Sequence, residues 1–217
     1  MKIYVVGSSK NKFLPLDNIR EKFLIDQKHE GDNIDFLNPW YCELTGLYYL
    51  WKHCDDDIVG LEHYRRNFVN GRNKLLSEKE IRTILETNDI ICVNWNTKWR
   101  KPLFSRFGNN EINRKDLMKV LYTICGNNKE LFNDYKKILS ATQHYQFNMF
   151  ICKKELINEY CEWMFNIMNE CILDFDINTF SKRSIGYITE IVLFPYWIYS
   201  KKLKVKNTQI KYIQNKK

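Results

Sequence analysis

The stretch from residue 38 to residue 68 constrains the fold more than any other part of this 217-residue chain. It opens with Asn38 and Pro39, residue types favoured at a helix start, and apolar residues then recur at helical spacing to about residue 53. A short apolar run at 58–61 follows and has the length of a buried strand. A helix that leads so closely into a buried strand predicts an α/β fold.

Four polar residues follow this strand: His63, Tyr64, Arg65 and Arg66. Adjacent arginines have no use in a packed core, whereas guanidinium groups match the oxygens of a diphosphate. Because side chains alternate along a strand, at most one arginine should face a ligand directly if the strand continues that far. Ligands bind at the carboxyl ends of strands in such sheets, so we expect Tyr64, Arg65 and Arg66 to bind a diphosphate. The alternative is a surface cluster of ion pairs.

Strand patterns alternate with helix patterns along most of the chain, which favours a mostly parallel central sheet flanked by helices. Residues 2–7 have the pattern of a first strand, and residues 11–37 show no regular pattern. The loop after the first strand contains Ser8 and Lys10, which could donate to the same diphosphate. A polar stretch at 94–113 has the composition of a mobile loop.

The net charge of +8 lies mainly at the C-terminal end, where residues 200–217 hold seven lysines and no acidic residue. A nucleic-acid-binding protein usually has its basic surface on the folded body, so we expect no nucleic-acid partner. We divide the chain into one domain, residues 1–200, and a Lys-rich tail, residues 201–217. The tail is either a frayed, solvated terminus or a contact with an anionic membrane.

The seven cysteines indicate a reducing compartment. Their number is odd and no Cys-x-x-Cys pair occurs, so the sequence suggests neither a disulfide framework nor a zinc site. No apolar run approaches the roughly 18–20 residues of a membrane span. We therefore expect a cytoplasmic protein.

Six motifs, in this order, resemble one bacterial family. They are Gly31-Asp-Asn-Ile, Asn38-Pro-x-Tyr-Cys-Glu-Leu-Thr-Gly-Leu-Tyr, Val59-Gly-Leu-Glu-His-Tyr-Arg-Arg, Asn148-Met-Phe-Ile-Cys-Lys-Lys-Glu, Glu159-Tyr-Cys-Glu-Trp-Met-Phe and Gly186-Tyr-Ile-Thr-Glu. Over nearly its whole length the chain is similar to a glycosyltransferase family of bacterial capsule and exopolysaccharide clusters, long filed as a domain of unknown function. The resemblance implies a single GT-A-like domain with a Rossmann-like sheet and hexosyltransferase activity.

The resemblance also implies the partners of such an enzyme. The donor would be a nucleotide sugar, UDP-linked and carrying galactofuranose or another hexose. The acceptor would be a lipid-linked or oligosaccharide glycan of capsule, exopolysaccharide or lipopolysaccharide biosynthesis. The protein would then work at the inner face of the cell membrane, attached peripherally.

Enzymes with this fold commonly hold Mg²⁺ or Mn²⁺ with an Asp-x-Asp motif after a central strand. Asp55-Asp56-Asp57 matches this motif by spelling but precedes the strand, so we interpret it as a solvated turn. We expect no required cofactor, with arginine taking the place of the cation. A dependence on Mg²⁺ or Mn²⁺ is the alternative.

Glu190 and His63 are the candidate catalytic residues. Glu190 interrupts an apolar helix, so its carboxylate either faces solvent or is buried with a partner. With the resemblance, we expect it to take the proton of the acceptor hydroxyl. Glu43, Asn148 and Met149 are candidates for sugar or acceptor binding. The ordinary alternatives are an acid in the first turn of a helix for Glu43 and a strand-edge cap for Asn148.

Asp32 and Asn33 lie in a glycine-bearing loop and could hold the ribose or base of the donor. Their alternative is ordinary turn chemistry. The chain departs from the family at Ser8-Ser9-Lys10, where a histidine is usual, and at Phe107, Asn109, Asn110 and Glu111, where a tyrosine and a following histidine are usual. These departures favour the second hypothesis, a degenerate, non-catalytic relative that binds nucleotide or glycan.

Overall fold

A computed structural model describes residues 1–96, 102–108 and 113–212 as one sheet flanked by helices. The strands are β1 (Lys2–Gly7), β2 (Arg20–Leu24), β3 (Ile58–His63), β4 (Arg66–Val69), β5 (Ile90–Asn96), β6 (Gln143–Lys153), β7 (Val205–Asn207) and β8 (Gln209–Tyr212). Their order is β2-β1-β3-β6-β5-β7, and β4 pairs with both β3 and β8.

The α/β class is confirmed, but the sheet is mixed rather than mostly parallel. β1 pairs in parallel with β2 and β3, and β5 with β7. The other pairings described are antiparallel, because β6 runs against both of its neighbours and β4 runs against β3 and β8.

The helices that flank the sheet are α1 (Asn38–Tyr41), α2 (Leu44–His53), α3 (Glu78–Leu85), α4 (Arg114–Cys125), α5 (Lys129–Ser140), α6 (Lys154–Asp174), α7 (Ser184–Ile188) and α8 (Phe194–Ser200). A π-helical turn, Thr189–Leu193, joins α7 to α8. Alternate residues of the central strands enter two apolar clusters on opposite faces of the sheet. The larger cluster takes in residues of every helix except α3, whose Ile81 and Leu85 belong to the smaller one.

The predicted helix from residue 38 to residue 53 is two helices. Cys42 has φ 53° and ψ −124°, which ends α1, and α2 begins two residues later. Asn38 makes no capping hydrogen bond with its side chain, contrary to expectation, although Pro39 occupies the first turn of α1. This break places Cys42 and Glu43 at a bend between two helices instead of on a helix face.

The structure corrects the expectations for two further segments, residues 11–37 and 94–113. Residues 11–37 contain β2, a full parallel neighbour of β1. The polar stretch at 94–113 begins within β5 and contains a 3₁₀ turn, Leu103–Arg106, and residues 97–101 and 109–112 lie outside the described part.

The C-terminal residues are not a frayed tail over 205–212. β7 lies beside β5, and β8 lies beside β4, where Ile210 packs against the smaller cluster. The lysines of these strands had indicated a tail, but exposed edge strands also commonly carry lysine. Residues 213–217 lie outside the described part. None of the described helices is long and apolar enough to cross a membrane.

Candidate functional site

A cavity of about 590 Å³ lies where the parallel strands β1 and β3 end. Its volume falls within the range of small-molecule and cofactor sites, roughly 300–1,000 Å³. The acidic, basic and histidine residues that line it are Glu43, His63, Arg65, Arg66, Arg106, Arg183 and Glu190. The predicted position at the carboxyl ends of strands is therefore where the structure has a concave, cationic site.

The turn after β3 brings both adjacent arginines into the cavity. The chain reverses at Tyr64 and Arg65, and Arg66 then pairs with His63 across the hairpin. The strand ends at His63 and does not continue through the arginines, so the limit of one arginine facing the site does not apply. Tyr64, Arg65 and Arg66 all line the cavity.

These guanidinium groups have no carboxylate partner in the part of the chain that the structure describes. Within the described residues, no ion pair involves Arg65, Arg66 or Arg183. The Nε of Arg65 is buried without a hydrogen-bond partner. Burial and then the neighbouring charge of Arg65 lower the pKa of Arg66, so the pair is electrostatically crowded. A bound anion would relieve both conditions.

His63 is held by hydrogen bonds at both ring nitrogens. Its Nε2 lies 2.7 Å from the carbonyl oxygen of Phe147, which can only accept, so Nε2 carries the proton. Its Nδ1 lies 3.4 Å from Nη1 of Arg66 and accepts from it. Burial lowers the pKa of His63, which keeps the ring neutral and suited to this arrangement. With both nitrogens used, His63 orients Arg66 instead of offering a free base.

Glu190 lies on the π-helical turn, where it is 7% exposed and lines the cavity. Burial, and then the carboxylate of Glu43, raise the pKa of Glu190 to about 7. Arg106, the backbone N–H of Phe147 and Arg66 act in the opposite direction. Single π turns occur often at functional sites, and here the turn carries a carboxyl group that changes charge near neutral pH.

A distortion of β6 joins these groups. Phe147 and Asn148 have φ values of 75° and 49°, which non-glycine residues seldom adopt and which bulge the strand. The carbonyl of Phe147 accepts from His63 and its N–H donates to Glu190, while its ring lies 4.1 Å from the guanidinium of Arg66. One strained residue therefore contacts three residues of the cavity.

Asn148 fixes the second carboxylate of the cavity. Its Nδ2 donates to Glu43 Oε1 at 2.8 Å and to the carbonyl of Gly186 at 3.2 Å, and its side chain is buried. Asn148 does not itself line the cavity, so the structure places it behind Glu43. Met149 is fully buried in the smaller apolar cluster, on the other face of β6, and is not among the residues that line the cavity.

The remaining predicted residues lie outside the cavity lining. Asn33 hydrogen-bonds within its own turn and so has the turn chemistry weighed above, whereas Asp32 accepts from the hydroxyl of Tyr48 on α2 at 2.8 Å. Ser8 donates its hydroxyl to Asp26 at 2.8 Å, and Lys10 is exposed.

Sequence reasoning missed two arginines of the cavity, Arg106 and Arg183. Arg183 is three residues before the Gly186-Tyr-Ile-Thr-Glu motif, and that proximity was an available signal. Arg106 lies in the 3₁₀ turn of a stretch with no regular pattern, and no motif in that stretch predicts its place. Asn11 and Tyr187 also line the cavity and were not predicted.

The aspartate triplet is used elsewhere, as the interpretation of a turn predicted. Asp56 pairs with the N-terminal amine and Asp57 with Arg82, at the end of β3 remote from the cavity. Glu62 is fully buried by Arg20 and does not reach the cavity lining. Among the described residues, no group of three or more histidine, cysteine or acidic side chains could hold a metal ion. Metal independence stays a prediction.

The chain matches a family profile and is similar to a solved structure. The sequence profile of a family described as "Domain of unknown function (DUF4422)" matches residues 2–202. A solved structure titled as the apo form of WbbM, a bifunctional glycosyltransferase, superposes with a TM-score of 0.80 at 25% sequence identity. The match covers 99% of this chain and 45% of that one, so the chain spans less than half of the bifunctional protein. No curated protein matches the sequence.

Proposed function

Because the chain belongs to the DUF4422 family and has the fold of one part of a bifunctional glycosyltransferase, consistent with a GT-A-like domain, we propose that it is a glycosyltransferase. It moves a hexosyl group from a nucleotide-sugar donor to a glycan acceptor. UDP is the nucleotide and galactofuranose or another hexose the sugar, and the product belongs to capsule, exopolysaccharide or lipopolysaccharide biosynthesis.

One observation carries this proposal: Arg65 and Arg66, which form no ion pair with the residues that the structure describes, face the same cavity as a buried carboxyl group of raised pKa. A leaving nucleoside diphosphate gains negative charge as the glycosidic bond breaks. Arg65 and Arg66 lie ready to stabilise that charge, which is the preorganised arrangement that lowers a barrier. Arg183 and Arg106, which come from other elements of the chain, add positive charge to the same cavity.

Glu190 is the proton acceptor in this proposal. A base works best when its pKa lies near the working pH, and the pKa of Glu190 is about 7. Since a protonated carboxyl cannot accept the proton of the acceptor hydroxyl, the rate should rise with pH through this value. Glu43, held by Asn148, is placed to bind a hydroxyl of the sugar or acceptor.

In this proposal His63 is a positioning residue. Its hydrogen bonds to Phe147 and Arg66 leave no nitrogen free for the acceptor, so it orients the guanidinium that meets the diphosphate. Ser8 and Lys10 lie in a loop next to Gly7, which lines the cavity, and remain candidates for donor contact only if the bond from Ser8 to Asp26 opens.

That bond also favours the second candidate function, a non-catalytic relative that binds nucleotide or glycan. The loop after β1 has no histidine, and Asp26 holds both Ser8 and Ser9 by their hydroxyls. A protein of this kind would bind UDP without breaking the bond between UDP and a sugar.

Donor hydrolysis separates the two functions. Wild-type protein and E190Q are incubated with a panel of UDP-sugars, including UDP-galactofuranose, and released UDP is measured with and without acceptor glycans and with EDTA or Mn²⁺. We expect turnover by the wild type that persists in EDTA and falls roughly 10²–10⁴-fold in E190Q, the range for losing a general base. UDP binding without turnover of any donor or acceptor would instead establish the binding protein.

We further propose that the protein works in the cytoplasm, at the anionic inner face of the membrane. Exposed lysines on the folded C-terminal segment support this: Lys201, Lys202, Lys204, Lys206 and Lys211. Truncation would remove β7 and β8 as well as charge, so substitutions are the better test. K206Q should weaken binding to phosphatidylserine vesicles, with K136Q, an exposed lysine on α5, as the control; equal binding by all three proteins rules the surface out.

A further inference from the structure

We propose that Tyr212 is a positioning residue whose ring holds the guanidinium groups of Arg65 and Arg66 toward the cavity, an inference that rests on the proposed function. Its ring centroid lies 5.8 Å from the guanidinium carbon of Arg65 and 5.3 Å from that of Arg66. Each arginine also contacts an aromatic ring of its own, Tyr64 or Phe147. Tyr212 is the ring that the two share.

A ring that contacts both arginines offsets the repulsion between their positive charges. Two adjacent cations repel each other, and within the described residues neither Arg65 nor Arg66 forms an ion pair, so the carboxylates of Glu190 and Glu43 act on Arg66 only from beyond contact distance. A carboxylate between them would hold them but would also compete with the diphosphate for the same donors. The negative face of an aromatic ring attracts both cations and leaves their N–H groups free for a ligand.

The backbone of β8 sets the position of the ring. Tyr212 pairs directly with Arg66, and the pairing continues through Asn67, Phe68 and Val69 along β4. Ile210, two residues earlier, packs against the smaller apolar cluster and anchors the strand. The last part of the described chain therefore reaches back to the turn after β3 and covers its arginines.

This support comes from outside the part of the chain that matches the family. The family match ends at residue 202, and β8 covers Gln209–Tyr212. Tyr212 is 47% exposed, so its ring adds little to the apolar core. A side chain that is half in water, yet lies over two arginines of a cavity, is better explained by those arginines than by folding.

Three variants test the proposal in the full chain. Y212L keeps a large apolar side chain without a π face, Y212F keeps the ring without its hydroxyl, and K211A alters the same strand away from the arginines. UDP affinity and the KM for the donor are measured with thermal unfolding as the control for folding. We expect Y212L to weaken UDP binding and raise the donor KM roughly three- to tenfold, the scale of one or two cation–π contacts, with a smaller effect on kcat.

Y212F and K211A should bind UDP as the wild type does, and all four proteins should unfold at similar temperatures. Unchanged UDP affinity in Y212L overturns the proposal. So does an equal loss in Y212F and Y212L, since the hydroxyl and not the ring would then carry the effect.

An NMR measurement on the free protein keeps this inference separate from the proposed function. The Nε–H signals of Arg65 and Arg66 should carry ring-current shifts that Y212L removes and Y212F retains. If the wild type binds no nucleoside diphosphate and hydrolyses no donor, the proposed function fails, yet these shifts still decide whether Tyr212 holds the arginines. Shifts that are identical in Y212L and wild type would refute the positioning role.

Discussion

Two arginine sites lie near the end of β3: Arg20, and the adjacent pair Arg65 and Arg66. They differ in burial, in ion pairing and in access to the cavity. Arg20 donates from Nε and Nη2 to both oxygens of Glu62, at 2.9 and 3.0 Å, and both side chains are fully buried. Glu62 also accepts from the backbone of Phe68. The chain turns two residues further along, at Tyr64 and Arg65, and there Arg65 and Arg66 line the cavity with no ion-pair partner among the described residues.

The comparison separates a structural ion pair from a binding site on physical grounds. Burying a charge is tolerated when it is paired and hydrogen-bonded, as Arg20 and Glu62 are. Arginines that are partly buried, crowded and without a counterion are retained against stability, and a ligand is the usual reason. The sequence alone does not distinguish Arg20 from Arg65 and Arg66. The carboxylate partner of Arg20 in the structure does.

Removing Arg20 should have the largest effect on stability. R20M leaves the Glu62 carboxylate buried without its cation, so the free energy of unfolding should fall by about 3–5 kcal/mol, as measured by urea denaturation. The double variant R20M/E62L removes both charges and should recover much of this loss. If R20M costs less than about 1 kcal/mol, Arg20 and Glu62 do not form the structural pair described above.

Removing Arg66 should produce the opposite profile. R66A should lower kcat/KM for the sugar donor roughly 10²–10³-fold, about the loss seen when one charge-stabilising donor is removed from an active site. Its melting temperature should stay close to that of the wild type, because no described ion pair is broken. R82A, which breaks an exposed pair with Asp57 and Glu78, is the matched control and should leave donor kinetics unchanged. Equal losses of activity and stability in R66A would make Arg66 structural.

Glu190 extends the comparison to a buried acid on the cavity side. Its pKa is raised in the folded state, so the favourable contribution of its protonated form is present at low pH and is lost as pH rises towards about 7. E190Q cannot ionise and should be more stable than the wild type at pH 8 by roughly 1–3 kcal/mol, with a smaller difference at pH 5. Thermal unfolding at both values measures this. A stability gain that does not depend on pH would show that burial of the charge is not its cause.

The smallest expected effect comes from the ligand itself. UDP at ten times its Kd should stabilise the wild type by about 1.4 kcal/mol, because it binds only the folded state. R20M should gain the same increment from its lower starting point, whereas R66A should gain little. A shift in R66A equal to that of the wild type would place the diphosphate away from the turn after β3.

Local patterns predicted most elements because their signals were local. The spacing of Ser77 and Glu80 predicts a capping box, and that box begins α3. The patterns on either side of Gly126 predict helices over 114–125 and 129–139, and α4 and α5 match these bounds to within a residue. The cavity arginines after β3 were predicted for a similar reason, since their place depends on one strand and its end.

Elements whose stability comes from distant partners were missed. β2 begins with Arg20, which looks exposed in sequence and is buried only because Glu62 lies 42 residues away. β7 and β8 look like a solvated tail until β5 and β4 supply their hydrogen bonds. Asp32 and Asn33 lie outside the cavity lining. Asn33 hydrogen-bonds within its own turn, and Asp32 accepts from Tyr48 of α2, a distant partner that no motif reveals.

The π turn before α8 lets the two halves of one helical segment face different surroundings. Phe194 N–H bonds to the carbonyl of Thr189, five residues back, and Pro195, which follows, has no N–H to restore the usual ladder. The added residue rotates the front of the segment, with Gly186 and Glu190, relative to the rear, where Phe194 and Trp197 fill the apolar interior. Deleting one residue from 189–193 would leave a smoother helix whose two halves could no longer both face the surfaces that they serve.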